Sequence, residues 1–320
     1  MEPGATLSQR VQVTRTVPTD ERYTNVEGAV GEPVKLSVII PCFNAADVIA
    51  TQLEALASQH WSEPWEVIIS DNGSTDGMLV IVEQYRERLP NLRVVDSSDR
   101  RGPGHARNVG ALAATGEALA FCDADDEAAP GWVAAMGEAL SKYDFVAGRL
   151  DSTKLNEPWA QKYRLCPQQD GLQEYDYPSY LYHAACSNLG VKRSLHEAVG
   201  GFDETMFRLQ DTDYCWRIQL AGTKLHFVPD ALVHLRYRNT LGGIYRQARG
   251  YAEYNVLIYK KYRRLGMPQL SWKMGVKAWL RLLRKLWRIR SRKSLAKWVW
   301  QFGWCMGRLQ GSIKYRIFAL

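Results

Sequence analysis

Ala118-Leu-Ala-Phe-Cys-Asp-Ala-Asp-Asp126 decides the fold. A short apolar run that stops on aspartates reads as a buried strand whose carboxyl end is acidic. Three runs upstream have the same character: Lys35-Leu-Ser-Val-Ile-Ile-Pro41, Trp65-Glu-Val-Ile-Ile-Ser-Asp71 and Leu92-Arg-Val-Val-Asp96. Between them lie stretches with helical spacing. Val48, Ile49, Leu53 and Leu56 recur over 47–58, Ser74-Thr-Asp76 caps an apolar segment from 78, and 104–115 is Ala-rich. Strand and helix alternating at this interval predict a parallel sheet of βαβ units flanked by helices.

Farther on the pattern gives a helix over Trp132–Leu140 and a strand over Asp144–Ala147. Pro158, Pro167 and Pro178 then mark irregular loops over 150–182. A strand at Ser187–Lys192, a helix near 211–221, a strand at Lys224–Val228 and a helix over 243–264 follow, with no internal repeat.

In an open parallel sheet, ligands bind at the carboxyl ends of the strands. Here those ends are Pro41-Cys-Phe-Asn44, Asp71-Asn-Gly-Ser74 and Asp123-Ala-Asp-Asp126. Asp71 alone fits a turn that caps the next helix. The cluster at 123–126 needs more, because three carboxylates in four positions repel one another unless a cation sits among them. A small set of hard oxygen ligands suits Mg2+ or Mn2+. No G-x-G-x-x-G follows the first strand, which argues against a dinucleotide-binding dehydrogenase. The six cysteines form no C-x-x-C pair, so a zinc ribbon is not expected, and their scatter reads as a reducing compartment.

With 46% hydrophobic and 23% charged residues in 320, the composition is globular and excludes global disorder. The net charge of +7 is unevenly spread. Residues 271–320 hold 13 Lys or Arg and no acidic residue, leaving 28 basic and 34 acidic residues elsewhere. Residues 1–33 are polar and read as a loose extension without a signal peptide. No run of 18 apolar residues offers a spanning helix, so a cytoplasmic protein is expected.

The basic tail is itself patterned. Trp272, Val276, Trp279, Leu280, Leu283, Leu286 and Trp287 recur at helical spacing, with Lys273, Lys277, Arg281, Arg284 and Arg288 on another face. A second stripe holds Leu295, Trp298, Val299, Phe302, Met306 and Leu309. Such helices suit the headgroup region of an anionic bilayer, and they could equally pack on the body. Nucleic acid is not an expected partner: no structured motif is present, and an acidic body repels phosphates.

The motifs together resemble family 2 glycosyltransferases, which are inverting, nucleotide-sugar-dependent enzymes of the GT-A fold. Ser37-Val-Ile-Ile-Pro-Cys-Phe-Asn44, Ser70-Asp-Asn-Gly-Ser-Thr-Asp-Gly77, Gly104-His-Ala-Arg-Asn-Val-Gly110 and Asp123-Ala-Asp-Asp126 carry the resemblance, joined by Gly200-Gly-Phe-Asp-Glu204 and Gln210-Asp-Thr-Asp-Tyr-Cys-Trp-Arg217. It implies a GT-A-type, Rossmann-like, mostly parallel α/β sheet, with 34–240 as the catalytic domain and 241–320 as a helical, basic, amphipathic extension.

The resemblance also implies site roles. Pro41, Phe43 and Asn44 would flank the nucleotide, Phe43 by stacking on its base. Asp71 would accept a hydrogen bond from the base, most simply uracil. Asp123 would contact ribose or metal, and Asp125 would hold the Mg2+ or Mn2+. Arg107 would meet either a carboxylate or a phosphate, and His234 stands where the family often places a histidine near the diphosphate or metal. Asp211 would be the base that deprotonates the acceptor hydroxyl. The chain departs from the pattern next to it, with Gln210 where the family usually shows Glu.

The expected partners are a nucleotide-sugar donor, most simply a UDP-sugar, and a glycan or lipid-linked acceptor in cell-surface or extracellular polysaccharide synthesis. An anionic membrane surface is expected at 271–320 on the cytoplasmic face, with the nucleotide site separable from that tail. A polyprenyl-phosphate sugar synthase and a catalytically weak glycan- or nucleotide-binding module are the alternatives.

Overall fold

The first strand is the middle of the sheet. β1 (Leu36–Cys42) is buried at all but one position. A strand with no exposed face must pair on both edges and be covered on both sides. It pairs in parallel with β2 (Trp65–Asp71) on one edge and with β4 (Ala118–Phe121) on the other. β3 (Leu92–Asp96) adds in parallel outside β2. The computed structural model describes residues 34–175 and 177–319, so the extension expected over 1–33 lies outside the described residues.

Beyond β4 come β5 (Glu127–Ala128), β6 (Phe145–Asp151), β7 (Leu189–Lys192) and β8 (His226–His234), completing the order β3-β2-β1-β4-β7-β6-β8-β5. The sheet is mostly parallel, as the alternation predicted. β7 runs antiparallel between β4 and β6, and β5 runs antiparallel to β8. Periodicity does not carry that information, because strand direction depends on the route of the connection.

Helices α1 (Ile49–Ala57), α2 (Met78–Glu83) and α4 (Trp132–Lys142) share one core with Leu36, Val38 and Ile40 of β1. Ile39 faces the other way, into a second core with Phe121 and with Tyr214 and Trp216 of α7 (Gln210–Leu220). α3 (Pro103–Ala113) lies on this side, and Gly110 sits so close to β1 that a Cβ there would come within 2.6 Å of Ile39 Cγ2. Two short helices, α5 (Pro158–Gln161) and α6 (Arg193–Ala198), complete the body.

β8 is longer than the sequence implied. The strand was expected to end at Val228, before Pro229. Instead, pairing with β6 breaks after Gly148 and resumes at Arg149↔Leu232, so residues 229–231 form a bulge. A proline that cannot donate to the ladder is tolerated there. The resumed pairing brings Val233 and His234 alongside β5 and carries the chain to Arg236.

Three helices end the chain: α8 (Leu241–Tyr262), α9 (Trp272–Leu286) and α10 (Arg292–Lys314). α10 lies on α8 through Gly303, Gly307 and Gly311, where a Cβ would meet Tyr245 O at 2.9 Å, Arg249 O at 2.1 Å and Glu253 O at 2.9 Å. Spaced four apart, these glycines let two helix backbones approach without a side-chain layer between them. Facing them, Ala248, Ala252 and Val256 of α8 are fully buried. α9 buries only Gly275 and Leu282. Its Trp272, Val276, Leu280, Leu283 and Leu286 are exposed, as is Trp287 just beyond it. No helix among the described residues is long and apolar enough to cross a membrane.

Candidate active site

Strand order places the site. The chain runs outward from β1 to β2 to β3, then returns through α3 to β4 on the opposite edge of β1. The crevice at this reversal, beyond the carboxyl ends of β1 and β4, is where open α/β sheets bind ligands. A cavity of about 910 Å³ opens there, lined among others by Pro41, Phe43, Asn44, Asp123, Asp125 and Asp211.

The β1 end is built by local turns. Asn44 takes a left-handed backbone, φ 48°. Its Oδ1 accepts from Thr75 N at 2.8 Å, and its own N–H donates to Ser74 Oγ at 3.0 Å. Phe43 is half exposed, with the Arg101 guanidinium 4.2 Å from its ring centroid. Asp71 closes β2, and its Oδ1 accepts from Ser74 N at 3.0 Å. This is the turn-capping geometry that the spacing allows. Asp71 is not among the cavity-lining residues, whereas its neighbour Asn72 is.

Asp123, Asp125 and Asp126 follow β4 and bring one carboxylate oxygen each within 4.8 Å of the others. Arg107, buried in α3, donates to Asp123 Oδ1 at 2.5 Å. Arg236 fastens the other two: its backbone N donates to Asp126 Oδ1 at 2.8 Å and its Nε to Asp125 O at 2.9 Å. Arg238 stands 3.5 Å from Asp125 Oδ2. Burial, then the negative charge of Asp123, holds the Asp125 carboxyl above its usual range against the pull of Arg238. Burial, then the charges of Asp125 and Asp123, pushes Asp126 well up. Asp126 Oδ2 is buried without a hydrogen-bond partner among the described residues. An orphaned buried oxygen within a crowded carboxylate set fits a divalent cation: the ion would relieve the repulsion and accept the unused oxygen.

His234 stands apart from this set. Its Nδ1 lies 3.0 Å from Asp151 Oδ2 on the neighbouring strand, and it is not among the cavity-lining residues. The cluster is fastened two residues farther on, by Arg236.

Asp211 enters from α7. Leu209 precedes the helix in a left-handed conformation, φ 55°, and turns Gln210 and Asp211 toward the cavity. Asp211 Oδ1 accepts from Thr212 N at 2.8 Å. Burial raises its pKa, opposed by the Thr212 N–H and then by the Arg107 charge. Gln210 Oε1 and Ser187 Oγ, both in the cavity lining, are buried with no hydrogen-bond partner among the described residues. Asp213 is fully buried and bound to Arg217 Nε at 2.8 Å, Lys261 Nζ at 2.6 Å and Tyr262 Oη at 2.8 Å. It is a structural partner, not a second base.

The profile of glycosyl transferase family 2 matches residues 37–200, half of the chain. The chain belongs to that family. Among curated relatives, this family 2 member is 45% identical over 125 residues to the uncharacterized glycosyltransferase YibD of Escherichia coli K12, covering 39% of this chain and 34% of YibD. It is 30% identical over 201 residues to the glycosyltransferase AglE of Haloferax volcanii, covering 62% of this chain and 65% of AglE. The chain thus spans about a third to two thirds of those relatives' lengths. Two solved structures share the fold. One is the mannosyltransferase PcManGT from Pyrobaculum calidifontis in complex with GDP-Man and Mn2+, with TM-score 0.59 and 19% identity over 86% of this chain and 87% of that one. The other is S. aureus TarS in complex with UDP-GlcNAc, with TM-score 0.52 and 18% identity over 89% of this chain and 93% of that one.

Within this family 2 member, two motifs of the sequence turn out to hold each other. Asn108 Nδ2 donates to Phe202 O at 3.0 Å and to Glu204 Oε1 at 2.8 Å, and His105 Nδ1 lies 3.1 Å from Glu204 Oε2. The 104–110 and 200–204 segments therefore form one brace behind Arg107. Asn188, just before β7, is fully buried and accepts from Trp132 Nε1 at 2.8 Å.

Sequence reasoning missed the rest of the cavity wall: Arg236 and Arg238 beyond β8, Tyr251 of α8, and Trp300 and Trp304 of α10. Leu235-Arg-Tyr-Arg238 was a visible basic pair close after His234. Nothing local marked Trp300 or Trp304 as cavity residues. The tail therefore borders the cavity, because α10 both packs on α8 and contributes to the cavity lining.

Proposed function

We propose that this family 2 glycosyltransferase transfers a hexose-type sugar, with inversion, from a nucleoside diphosphate-sugar to a hydroxyl of a glycan or lipid-linked glycan. The donor proposed first is a UDP-sugar. The observation that carries this reading is the presence of Phe43, the 123–126 carboxylates and Asp211 in the lining of one cavity at the switch point of the sheet.

In this reading Phe43 stacks on the base, Pro41 and Asn44 shape the nucleotide cleft, and Asp71 holds the turn whose neighbour Asn72 faces it. Arg107 fixes Asp123 in position. Asp123, Asp125 and Asp126 would hold Mg2+ or Mn2+. When bound, such an ion offsets the negative charge of the departing diphosphate. That the PcManGT structure is a complex with GDP-Man and Mn2+, and the TarS structure one with UDP-GlcNAc, supports a nucleotide-sugar donor and a divalent ion here.

Asp211 takes the acceptor proton. With Oδ1 engaged by Thr212 N–H, Oδ2 is the oxygen that receives it. The acceptor oxygen bonds to the anomeric carbon as the bond to the diphosphate breaks, and the nucleoside diphosphate leaves. A carboxyl raised by burial is a better proton acceptor than a solvated one. Residues 34–240 supply the donor site and base in this scheme, and 241–320 completes the acceptor side. The exposed apolar face of α9, among Lys273, Lys277, Arg281, Arg284 and Lys285, seats the protein on an anionic leaflet at the cytoplasmic face.

The test is a donor screen with UDP-glucose, UDP-GlcNAc and GDP-mannose plus Mn2+, scored by nucleoside diphosphate release. Release with one donor, lost on chelation, is the expected result. No release from any donor and no binding of UDP or GDP would overturn the reading.

A further inference from the structure

We propose that the end of the cavity walled by α8 and α10 is an acceptor subsite for a pyranose bearing an anionic group, read by Arg164. The inference rests on the glycosyltransferase reading above and names the acceptor's chemistry.

Arg164 is half-buried in the cavity lining. Its guanidinium carbon stands 4.8 Å from the Tyr237 ring centroid and 5.0 Å from that of Trp300. Of the cavity's other arginines, Arg107 is paired with Asp123, Arg238 stands beside Asp125, Arg236 Nε donates to the backbone Asp125 O, and Arg101 donates to Asn72 O at 2.9 Å. Arg164 makes no ion pair among the described residues, and neither does Arg208, whose guanidinium carbon lies 5.9 Å from the Tyr251 ring. Aromatic rings flank the guanidinium, whose planar N–H fork matches a carboxylate or a phosphate. A half-buried cation with no protein anion beside it, placed in a binding cavity, points to an anion on the ligand.

The surroundings fit a sugar ring. The Trp300 and Trp304 rings lie 6.2 Å apart and within 29° of parallel, forming a shelf for the apolar C–H face of a pyranose. Tyr251 stands against it edge to face, its ring centroid 6.4 Å from that of Trp300 and its plane at 77°. Polar atoms without partners face the same cavity: Gln247 Oε1 from α8, and Gln210 Oε1 and Ser187 Oγ nearer the base. The series Arg208, Tyr251, Trp300, Arg164 therefore leads from the start of α7, where Asp211 sits, to the far end of the cavity. Donor recognition is assigned to the strand ends, so this wall belongs to the acceptor.

The probes are the methyl β-glycosides of glucose, glucuronic acid and glucose 6-phosphate. Their binding to the full chain is measured by calorimetry with Mn2+ and with UDP or GDP present. At least one anionic glycoside should bind about 10-fold tighter than the glucoside. Arg164→Met should reduce that preference to less than about twofold and leave nucleotide affinity unchanged. Arg164→Lys, which keeps the charge without the planar fork, should retain part of it. Trp304→Ala should weaken all three glycosides together. Equal binding of the three probes, or a preference that survives Arg164→Met, would overturn the proposal. Nucleotide binding in the same samples separates the two readings: a nucleotide that binds alongside equal glycoside affinities sinks this inference alone.

Discussion

α9 and α10 are alike in composition and opposite in placement. Both are rich in tryptophan and basic residues, and neither contains an acidic one. α10 presents Gly303, Gly307 and Gly311 to α8 and becomes part of the body. α9 has Gly275 as its only glycine and buries one large side chain, that of Leu282, whose backbone O accepts from Trp298 Nε1 at 3.1 Å. An apolar stripe marks a face that must be covered, but it does not say by what. In α10 the face that docks is the one with no side chains, and several large residues beside it turn toward the cavity or toward Tyr245, as Phe302 does at 5.8 Å between ring centroids. In α9 the large residues stay in solvent, flanked by lysine and arginine, and form the face proposed above to meet an anionic leaflet.

The largest expected effect belongs to neither helix and sets the scale for both. Asp211→Asn should lower kcat by about 10²–10⁴, the usual worth of a positioned general base, with nucleotide affinity unchanged. Single-turnover assays with the best donor read this. A variant that loses nucleotide affinity and keeps turnover would remove Asp211 from the role.

Next comes the packing of α10. Gly307→Leu forces a side chain against Arg249 O, where even a Cβ would approach to 2.1 Å. Overpacking of this kind costs about 1–3 kcal/mol or more, so thermal unfolding should begin several degrees lower. The same substitution at Gly266, where a Cβ meets nothing within 4 Å, tests strain from the backbone alone, since its φ is 93°. If Gly307→Leu leaves the melting temperature in place, the contrast between the two helices fails.

A smaller effect is expected from α9. The triple substitution Leu280→Gln, Leu283→Gln, Trp287→Gln removes exposed apolar area, so the melting temperature and turnover on a soluble acceptor should hold. Co-sedimentation with phosphatidylserine-containing vesicles should fall about 10-fold or more, and 1 M salt should weaken binding of the parent protein. Unchanged pelleting would mean that the exposed face of α9 is not the lipid contact.

The smallest effect is a displacement of pH dependence. Asp211 acts only when ionised, and burial raises its pKa. Activity should therefore be lost, as pH falls, at a higher pH than an ordinary aspartate of about 3.9 would give. The acid limb of kcat/KM reports this, and Asp211→Asn should abolish the limb. A limb at or below the ordinary value would show that Arg107 and the Thr212 N–H outweigh burial.

The sequence alone carried the strand–helix alternation of the body, the acidic strand ends and the family. Each of these is local: a run of β-branched residues, a proline, or three aspartates in four positions are read without knowing what lies across the fold. β2 and β3 run over Trp65–Asp71 and Leu92–Asp96, where their apolar runs begin and end. What only the tertiary structure decided depends on approach between distant segments. Pro229 is a bulge and not a strand end because β6 continues beside it. His234 meets Asp151, while Arg236 reaches the carboxylates, because the ladder of β8 with β5 and β6 sets which residue stands where. Arg164, Tyr237 and Trp300 come together from two loops and a helix far apart in the chain, so no spacing could announce them. The division between α9 and α10 follows from the same cause: glycine contributes nothing to an apolar periodicity, yet its missing side chain allows the closest packing of two helices.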